Sequence, residues 1–410
     1  MDTVLLVNLI LLSLTILLDG YLIFFVLVSL FRRPKEAPAC EMTKRYAVLI
    51  CARNEQAVIA RLLDSIHRQT YPQTLLSVFV MADNCTDRTA EIAGAHGALV
   101  YERSDSRQVG KGYALDALFS HLEKDHPDGF DGYFVIDADS VLAEDFVERM
   151  NEGFCSGHEI VCGYHNAVNM GESLYSMGQS VMFLVQNRFL NYPRSLLGLG
   201  AYFSGTGILI GASVIREERG WPYHMITEDI QFVMAQLLKG RRAYYCHKAV
   251  TFDERLVGYR ESRGQLTRWT QGFEQVVFSY GPALVKRIFT QRDFSSYDLL
   301  VSYFPVGMFM GLSWAVSLVG GVLAGLVSGS FAGVQWPILW SLAVPFLILL
   351  TMGALTILCE WKRIQMPCMK KILAAFAYPV YMIMLVEISF ASPFRPRQWR
   401  ETSRNMKRTR

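Results

Sequence analysis

No two of the eight cysteines stand in a C-x-x-C pair, and none has the spacing of a zinc site. Cys40, Cys51, Cys85, Cys155, Cys162, Cys246, Cys359 and Cys368 are therefore expected to be isolated structural thiols in a reducing compartment. Charge is scarce as well: Asp, Glu, Lys and Arg make up 19% of 410 residues and leave a net +3. That balance says nothing beyond local basic flanks, and no nucleic-acid partner is expected. There is no internal repeat and no low-complexity segment. Two familiar phosphate loops are also missing. Gly110-Lys111-Gly112 is not a P-loop, because position 105 is Asp and no Ser or Thr follows the lysine. Gly205-x-Gly207 reaches its next glycine at 211, one residue too far for a dinucleotide fingerprint, and no helix pattern is read there. Neither an ATPase nor a dehydrogenase is supported.

Apolar residues are plentiful and unevenly spread. The chain is 51% hydrophobic, with a mean hydropathy of +0.22. Val4 to Phe31 is broken only by Asn8 and Asp19, long enough for a bilayer, which takes about 20 apolar residues. Arg32, Arg33 and Lys35 follow it, so an uncleaved anchor over 1–35 is expected rather than a signal peptide. Apolar blocks return at 299–327, 336–358 and 372–391, within a membrane region of 296–392. Lys362, Arg363, Lys370 and Lys371 separate the last two, and the 328–335 connection is uncharged. Positive-inside logic puts the middle of the chain, 44–275, in the cytosol under the plasma (inner) membrane. The basic tail, 393–410, should stay on that side too. Four full spans would place it outside, so the last block, interrupted by Pro379 and Glu387, is read as spanning or, in better accord with the tail, as re-entrant or interfacial. Residues 276–295 read as a separate amphipathic interface helix, with Leu284, Val285, Ile288 and Phe289 opposed by Lys286, Arg287 and Arg292.

The middle alternates strand and helix. Strands are predicted at 46–51, 75–82, 98–101 and 131–136, with helical patterns between them. This order predicts a mostly parallel sheet with helices on both faces, and ligands beyond the carboxyl ends of its strands. Arg53/Glu55, Asp83 and the pair Asp137/Asp139 all stand at such ends. Two acids one residue apart on a turn leaving a strand can face one cleft and suit Mg²⁺ or Mn²⁺. They could equally cap a helix starting near Ala143. Thr227-Glu228-Asp229 opens a well-patterned helix, where acids complement the helix dipole or one takes a proton from a hydroxyl. Gln265, Arg268 and Trp269 fall on one helical face, followed by Gln271-Gly272. Such a face can grip pyrophosphate and stack a sugar, or simply lie on a membrane surface.

The ordered set of Asp83 in MADNCTD, D-x-D at 137–139, T-E-D at 227–229 and Q-x-x-R-W at 265–269 resembles the membrane-embedded family 2 glycosyltransferases. Cellulose, chitin-oligosaccharide, poly-N-acetylglucosamine and hyaluronan synthases are of this kind. The resemblance implies an α/β, GT-A-like nucleotide-sugar domain beside α-helical transmembrane segments. It implies that Glu55 and Asp83 hold the uridine of a UDP-sugar, with Lys111 near the donor. Asp137 would sit by the donor sugar or phosphate, and Asp139 would ligate a Mg²⁺ or Mn²⁺ bridging the diphosphate. Ser204, Gly205 and Thr206, in YFSGT, would face the acceptor. Asp229, with Glu228 beside it, would supply the base; Arg268, Trp269 and Gln265 would clamp the diphosphate and the acceptor end.

The activity so implied is inverting transfer from a UDP-sugar to a growing β-linked polysaccharide, processive and coupled to export, with an accessory export subunit as a further partner. A single addition to a lipid acceptor, as in glucosylceramide-type synthases, is the nearest alternative. A non-catalytic nucleotide-sugar-binding scaffold is the alternative of another class, and the intact acids and Arg-Trp pair argue against it.

Overall fold

The computed structural model describes residues 2–33, 37–203, 205–303, 306–331 and 335–394. Ser204, Lys35 and the basic tail from 395 lie outside the described residues. Eight strands form one sheet: β1 (Tyr46–Ala52), β2 (Leu76–Asp83), β3 (Leu99–Arg103), β4 (Gly132–Asp137), β5 (Val141–Leu142), β6 (Ile160–Ala167), β7 (Ile208–Gly211) and β8 (Tyr244–Asp253). Their order is β3-β2-β1-β4-β7-β6-β8-β5. The half from β3 to β4 is parallel, β7 runs antiparallel to both neighbours, and β5 is antiparallel to β8.

Fifteen α-helices surround the sheet or extend from it among the described residues. Those of the middle domain are α3 (Ile59–His67), α4 (Thr89–Ala95), α5 (Lys111–Asp125), α6 (Phe146–Cys155), α7 (Leu174–Val185), α8 (Tyr192–Leu196), α9 (Ala212–Glu218) and α10 (Glu228–Leu238). The chain begins with α1 (Asp2–Asp19) and α2 (Tyr21–Phe31), and ends with α11 (Tyr259–Gln291), α12 (Phe294–Tyr303), α13 (Val306–Ser328), α14 (Gln335–Cys359) and α15 (Cys368–Ala391). Side chains alternate across β1, so Tyr46, Val48 and Ile50 enter one hydrophobic core while Ala47 and Leu49 enter the other. A strand buried on both faces needs an unbroken apolar run, which is why YAVLIC shows no alternation.

Several expectations are corrected. Helix α9 opens directly after Gly211, but strand β7 separates that glycine from Gly207, so the glycines do not form one loop. The interface helix is not a separate element: α11 runs 33 residues through Pro282. Burial of Val276, Val277, Gly281 and Leu284 around the proline offsets the hydrogen bond it removes. Cys40 and Cys155, 115 residues apart, are joined in a disulfide with their Cα atoms 6.4 Å apart. Such a bond persists in oxidising surroundings; in a cytosol the two would stand as neighbouring thiols.

Helix α15 is continuous, without the break read from Pro379 and Glu387. Glu387 is paired with Arg263 of α11 at 2.5 Å, which offsets its charge near the C-terminal end of the helix. Leu339–Cys359 and Cys368–Ser389 are each long and apolar enough to cross a membrane, and α1 with α2 forms a bent pair with a 42° break. The break falls at Gly20, where a Cβ would stand 2.4 Å from the Ile16 carbonyl oxygen. The Tyr297 hydroxyl donates to the Leu17 and Leu18 carbonyls beside it.

Candidate active site

The acids singled out by the sequence stand at one edge of the sheet. In register, Cys51 pairs with Asp137 and Asp83 with Arg103, so β1, β2, β3 and β4 end together. Asn54 and Asn84, just past two of those ends, take left-handed backbone with φ of 55° and 54°. Asparagine tolerates that conformation, which turns the chain sharply where it leaves a strand. Asn54 Oδ1 then accepts from Thr86 N–H, and Asn84 Oδ1 from Asp105 N–H, so the loops brace one another. Glu55 is half-buried, with its N–H donating to Thr89 Oγ1. Asp83 is buried and receives the Arg103 guanidinium at 2.6 Å. Sequence reasoning missed Arg103 as its partner.

The cleft centres on Lys111 and Gly205. The Lys111 ammonium donates to Asp137 and to the Gly205 carbonyl. Gly205 has φ +71°; a Cβ there would lie 3.2 Å from Asp137 Oδ2 and 3.8 Å from Asp229 Oδ2. Those two carboxylates, 92 residues apart, thus flank one small gap that only glycine leaves open. Close packing brings the third wall in. A Cβ on Gly112 would meet the Tyr223 carbonyl at 2.1 Å, which shows how tightly α5 abuts the segment leading to Thr227-Glu228-Asp229. Gly112→Ala should therefore push the lysine off the carboxylates, costing about 1–3 kcal/mol; thermal unfolding and donor binding measured together would detect it.

Burial raises the Glu228 pKa, the neighbouring Asp229 raises it further, and Lys111 opposes both. Asp229 is likewise raised by burial, against the Ile230 N–H and Lys111. For Lys111 burial pulls downward, but Asp137 and Glu228 outweigh it and the ammonium stays charged. A carboxyl raised in the fold relative to the unfolded chain holds its proton better when folded. Stability therefore falls as pH rises through the raised pKa. Glu228→Gln removes that loss and is expected to raise the Tm at neutral pH by about 2 °C, measured by thermal unfolding.

A second layer was not legible in the sequence. Thr206 is buried; its Oγ1 accepts from Asp137 N–H at 2.9 Å and lies 3.1 Å from Ser140 Oγ. Thr206 was expected on the acceptor side, yet here it holds the D-A-D-S turn. Ser140 Oγ donates to Asp253 Oδ1, whose other oxygen is 3.0 Å from His165 Nδ1 and 3.5 Å from Arg255. The Asp253 pKa is lowered: burial works the other way, but His165 and Arg255 outweigh it. Ser140 caps nothing: α6 has Asp145 at its N-cap position, without a side-chain bond. The helix-cap reading of D-A-D-S therefore fails. Thr227 does stand at the N-cap position of α10, but its buried Oγ1 has no partner.

Helix α11 closes the cleft. A Cβ on Gly272 would meet Thr227 Cγ2 at 2.4 Å, so the glycine after Q-x-x-R-W is the contact point with T-E-D. One turn earlier, Arg268 is half-buried, and its Nε is enclosed without a hydrogen-bond partner. Trp269 meets Phe183 of α7 edge-on at 6.1 Å, and Gln265 Oε1 accepts from Gln179 of the same helix at 2.6 Å. Leu266 packs with Tyr381, Met384 and Ile388 of α15, so this side of the cleft borders a membrane-type helix.

A divalent cation suits the donor chemistry here. Asp137 and Asp139 offer hard oxygens and are both half-buried, and Asp137 borders the gap left by Gly205. Mg²⁺ commonly takes one or two carboxylates and completes its shell with phosphates and water. Among the described residues no cluster of three ligating side chains occurs.

The family model described as glycosyltransferase like family 2 matches residues 44–272. The probable glycosyltransferase YdaM of Bacillus subtilis is 23% identical over 284 residues, covering 67% of this chain and 66% of its own. The beta-monoglucosyldiacylglycerol synthase of a Nostoc species is 24% identical over 261 residues, 62% of this chain and 54% of its own. The chain thus spans between about half and two thirds of those relatives. Among solved structures, the mannosyltransferase PcManGT of Pyrobaculum calidifontis, in complex with GDP-Man and Mn²⁺, superposes with a TM-score of 0.57. It is 18% identical and covers 92% of this chain and 98% of that one, a likeness of fold. With the acidic cleft at the strand ends and the match across the whole middle domain, the chain belongs to the family 2 glycosyltransferases.

Proposed function

We propose that this enzyme transfers one sugar, with inversion, from a UDP-sugar to the hydroxyl of a membrane lipid. The observation that carries the reading is the gap at Gly205, bordered by Asp137, Asp229 and the Lys111 ammonium. Arg268 and Lys111 are the cations for a diphosphate; Glu55 and Asp83 are the groups for the nucleoside. A Mg²⁺ or Mn²⁺ held by Asp139, with Asp137 beside the donor phosphate, would offset charge growing on the leaving diphosphate. Asp229 takes the proton of the attacking hydroxyl. The hydroxyl oxygen bonds to the anomeric carbon as the bond to the diphosphate breaks on the opposite face. With Asp137 and Asp139 assigned to the donor phosphate and metal, Asp229 is left as the base, which favours this direct displacement over a covalent intermediate.

A lipid acceptor is favoured because Gln265, Leu266 and Trp269 pack on α7 and α15, so the acceptor end of the cleft opens along an apolar helix. The name of the Nostoc relative points the same way. A cytosolic catalytic domain remains the orientation that the basic flanks favour. Polysaccharide extension is the second reading, supported by the order of the four motifs alone. Purified full-length protein, given UDP-glucose, UDP-N-acetylglucosamine or GDP-mannose with Mn²⁺ and diacylglycerol, should form a glycolipid carrying one sugar. Product longer than one sugar would transfer the case to the second reading, and no transfer from any donor would overturn both.

A further inference from the structure

A cavity of about 410 Å³ lies at the domain end of α14, and none of its lining residues belongs to the catalytic cleft. Its walls come from separate parts of the chain: Arg188 from the turn before α8, His247 from β8, and Trp361, Lys362 and Arg363 from the loop after α14. Three permanent cations, Arg188, Lys362 and Arg363, face one carboxylate, Glu360, which leaves an excess of positive charge. Glu360 is already committed. Its Oε2 accepts from the Tyr164 hydroxyl at 2.9 Å and lies 3.7 Å from Arg363, and its Oε1 is 3.9 Å from Arg188 Nε. That Nε is buried and makes no hydrogen bond, although the same guanidinium donates to the Ser29 carbonyl and lies 4.9 Å from the Tyr192 ring centre. An enclosed donor without a hydrogen bond, its ion-pair partner 3.9 Å away, beside surplus positive charge, suits an anion.

The depth of the cavity along the chain says which anion. The apolar stretch Leu339–Cys359 ends at its mouth, where Leu358 is 68% exposed. Trp361 follows, 38% exposed with the Lys371 ammonium 4.4 Å from its ring centre. Tryptophan and lysine in that position mark the boundary between hydrocarbon and water. The cavity is large enough for a small polar group, at the lower end of ligand pockets, which run about 300–1,000 Å³. We propose that it binds the phosphate headgroup of an anionic phospholipid whose acyl chains lie along α14. Basic residues beside a span could instead be solvated individually. The convergence of Arg188 from the catalytic domain with Lys362 and Arg363 from the membrane region is what sets this group apart. The site also touches the catalytic domain: Tyr164 faces it, while the next residue of β6, His165, points to the other face and holds Asp253.

Native mass spectrometry of the purified full chain, titrated with phosphatidylglycerol, phosphatidylcholine or inorganic phosphate, tests this. Phosphatidylglycerol should be retained about tenfold more than phosphatidylcholine. Lys362→Gln should weaken that retention about fivefold and Lys362→Gln/Arg363→Gln about 25-fold. Lys362 is exposed, so the single variant reads the charge without disturbing the core; donor hydrolysis by both variants checks that the catalytic domain is folded. Equal retention of the two lipids, or unchanged retention in folded variants, would overturn the proposal. Tight binding of inorganic phosphate without retention of phosphatidylglycerol would overturn the lipid assignment in favour of a soluble phosphate.

Discussion

Asp229→Asn is expected to lower kcat about 10³-fold while leaving UDP-sugar affinity within about threefold. The amide fills the same space between Gly205 and the first turn of α10 but cannot accept a proton from the acceptor hydroxyl. Glu228→Gln should cost less than about tenfold, because its carboxyl is nearly buried and it is Asp229 that borders the Gly205 gap. Steady-state kinetics with donor binding by calorimetry separate the two. The pH profile gives an independent check. A base works ionised, and burial raises the Asp229 pKa, so wild-type kcat/KM should fall as pH drops through that raised value. In Asp229→Asn the acid limb should vanish. A variant that keeps wild-type turnover would remove Asp229 as the base.

Arg194→Met is expected to destabilise the protein by about 3–5 kcal/mol, lowering the Tm by roughly 6–15 °C. Arg194 is fully buried; its guanidinium donates to both oxygens of Asp298 at 2.6 and 2.8 Å and to Ser302. Tyr21 of α2 donates to the same carboxylate, and the Tyr202 ring centre lies 4.2 Å from the guanidinium carbon. One ion pair therefore joins α2, α8, α12 and the strand of chain that leads to Gly205. Removing the arginine leaves Asp298 charged and enclosed, and that penalty is the larger part of the loss. Arg194→Met/Asp298→Leu should recover at least half of it, since two apolar groups of similar volume cost less than one orphaned charge. Thermal unfolding of both variants in the same detergent decides; an Arg194→Met protein as stable as wild type would deny the pair a structural role.

Much of the catalytic domain was legible before the structure. The runs at 46–51, 75–82 and 131–136 became β1, β2 and β4 because a parallel strand covered on both faces must be apolar throughout, and 98–101 became the edge strand β3. Acids then mark where those strands surface, so Asp83 and Asp137 stood out. None of β5 to β8 was read from the sequence; for β7 and β5, four and two residues carry too little pattern. The length of α11 was hidden by Pro282, whose usual meaning as a helix breaker is overridden by burial on either side. Glu387 looked like an interruption because its partner, Arg263, is 124 residues away.

The sequence by itself determined the element types, the membrane-seeking segments and the order of the acidic motifs, because each depends on periodicity or composition within a few neighbouring residues. Only the tertiary structure decided that Lys111 lies between Asp137 and the Gly205 carbonyl, that Thr206 serves the D-A-D-S turn, and that Arg194 is spent on Asp298. Those are contacts between residues 26 to 104 positions apart, and around the cleft glycines 112, 205 and 272 stand where a side chain would crowd the neighbouring segment. Close approach is a property of packed surfaces, and no local pattern in the chain encodes it.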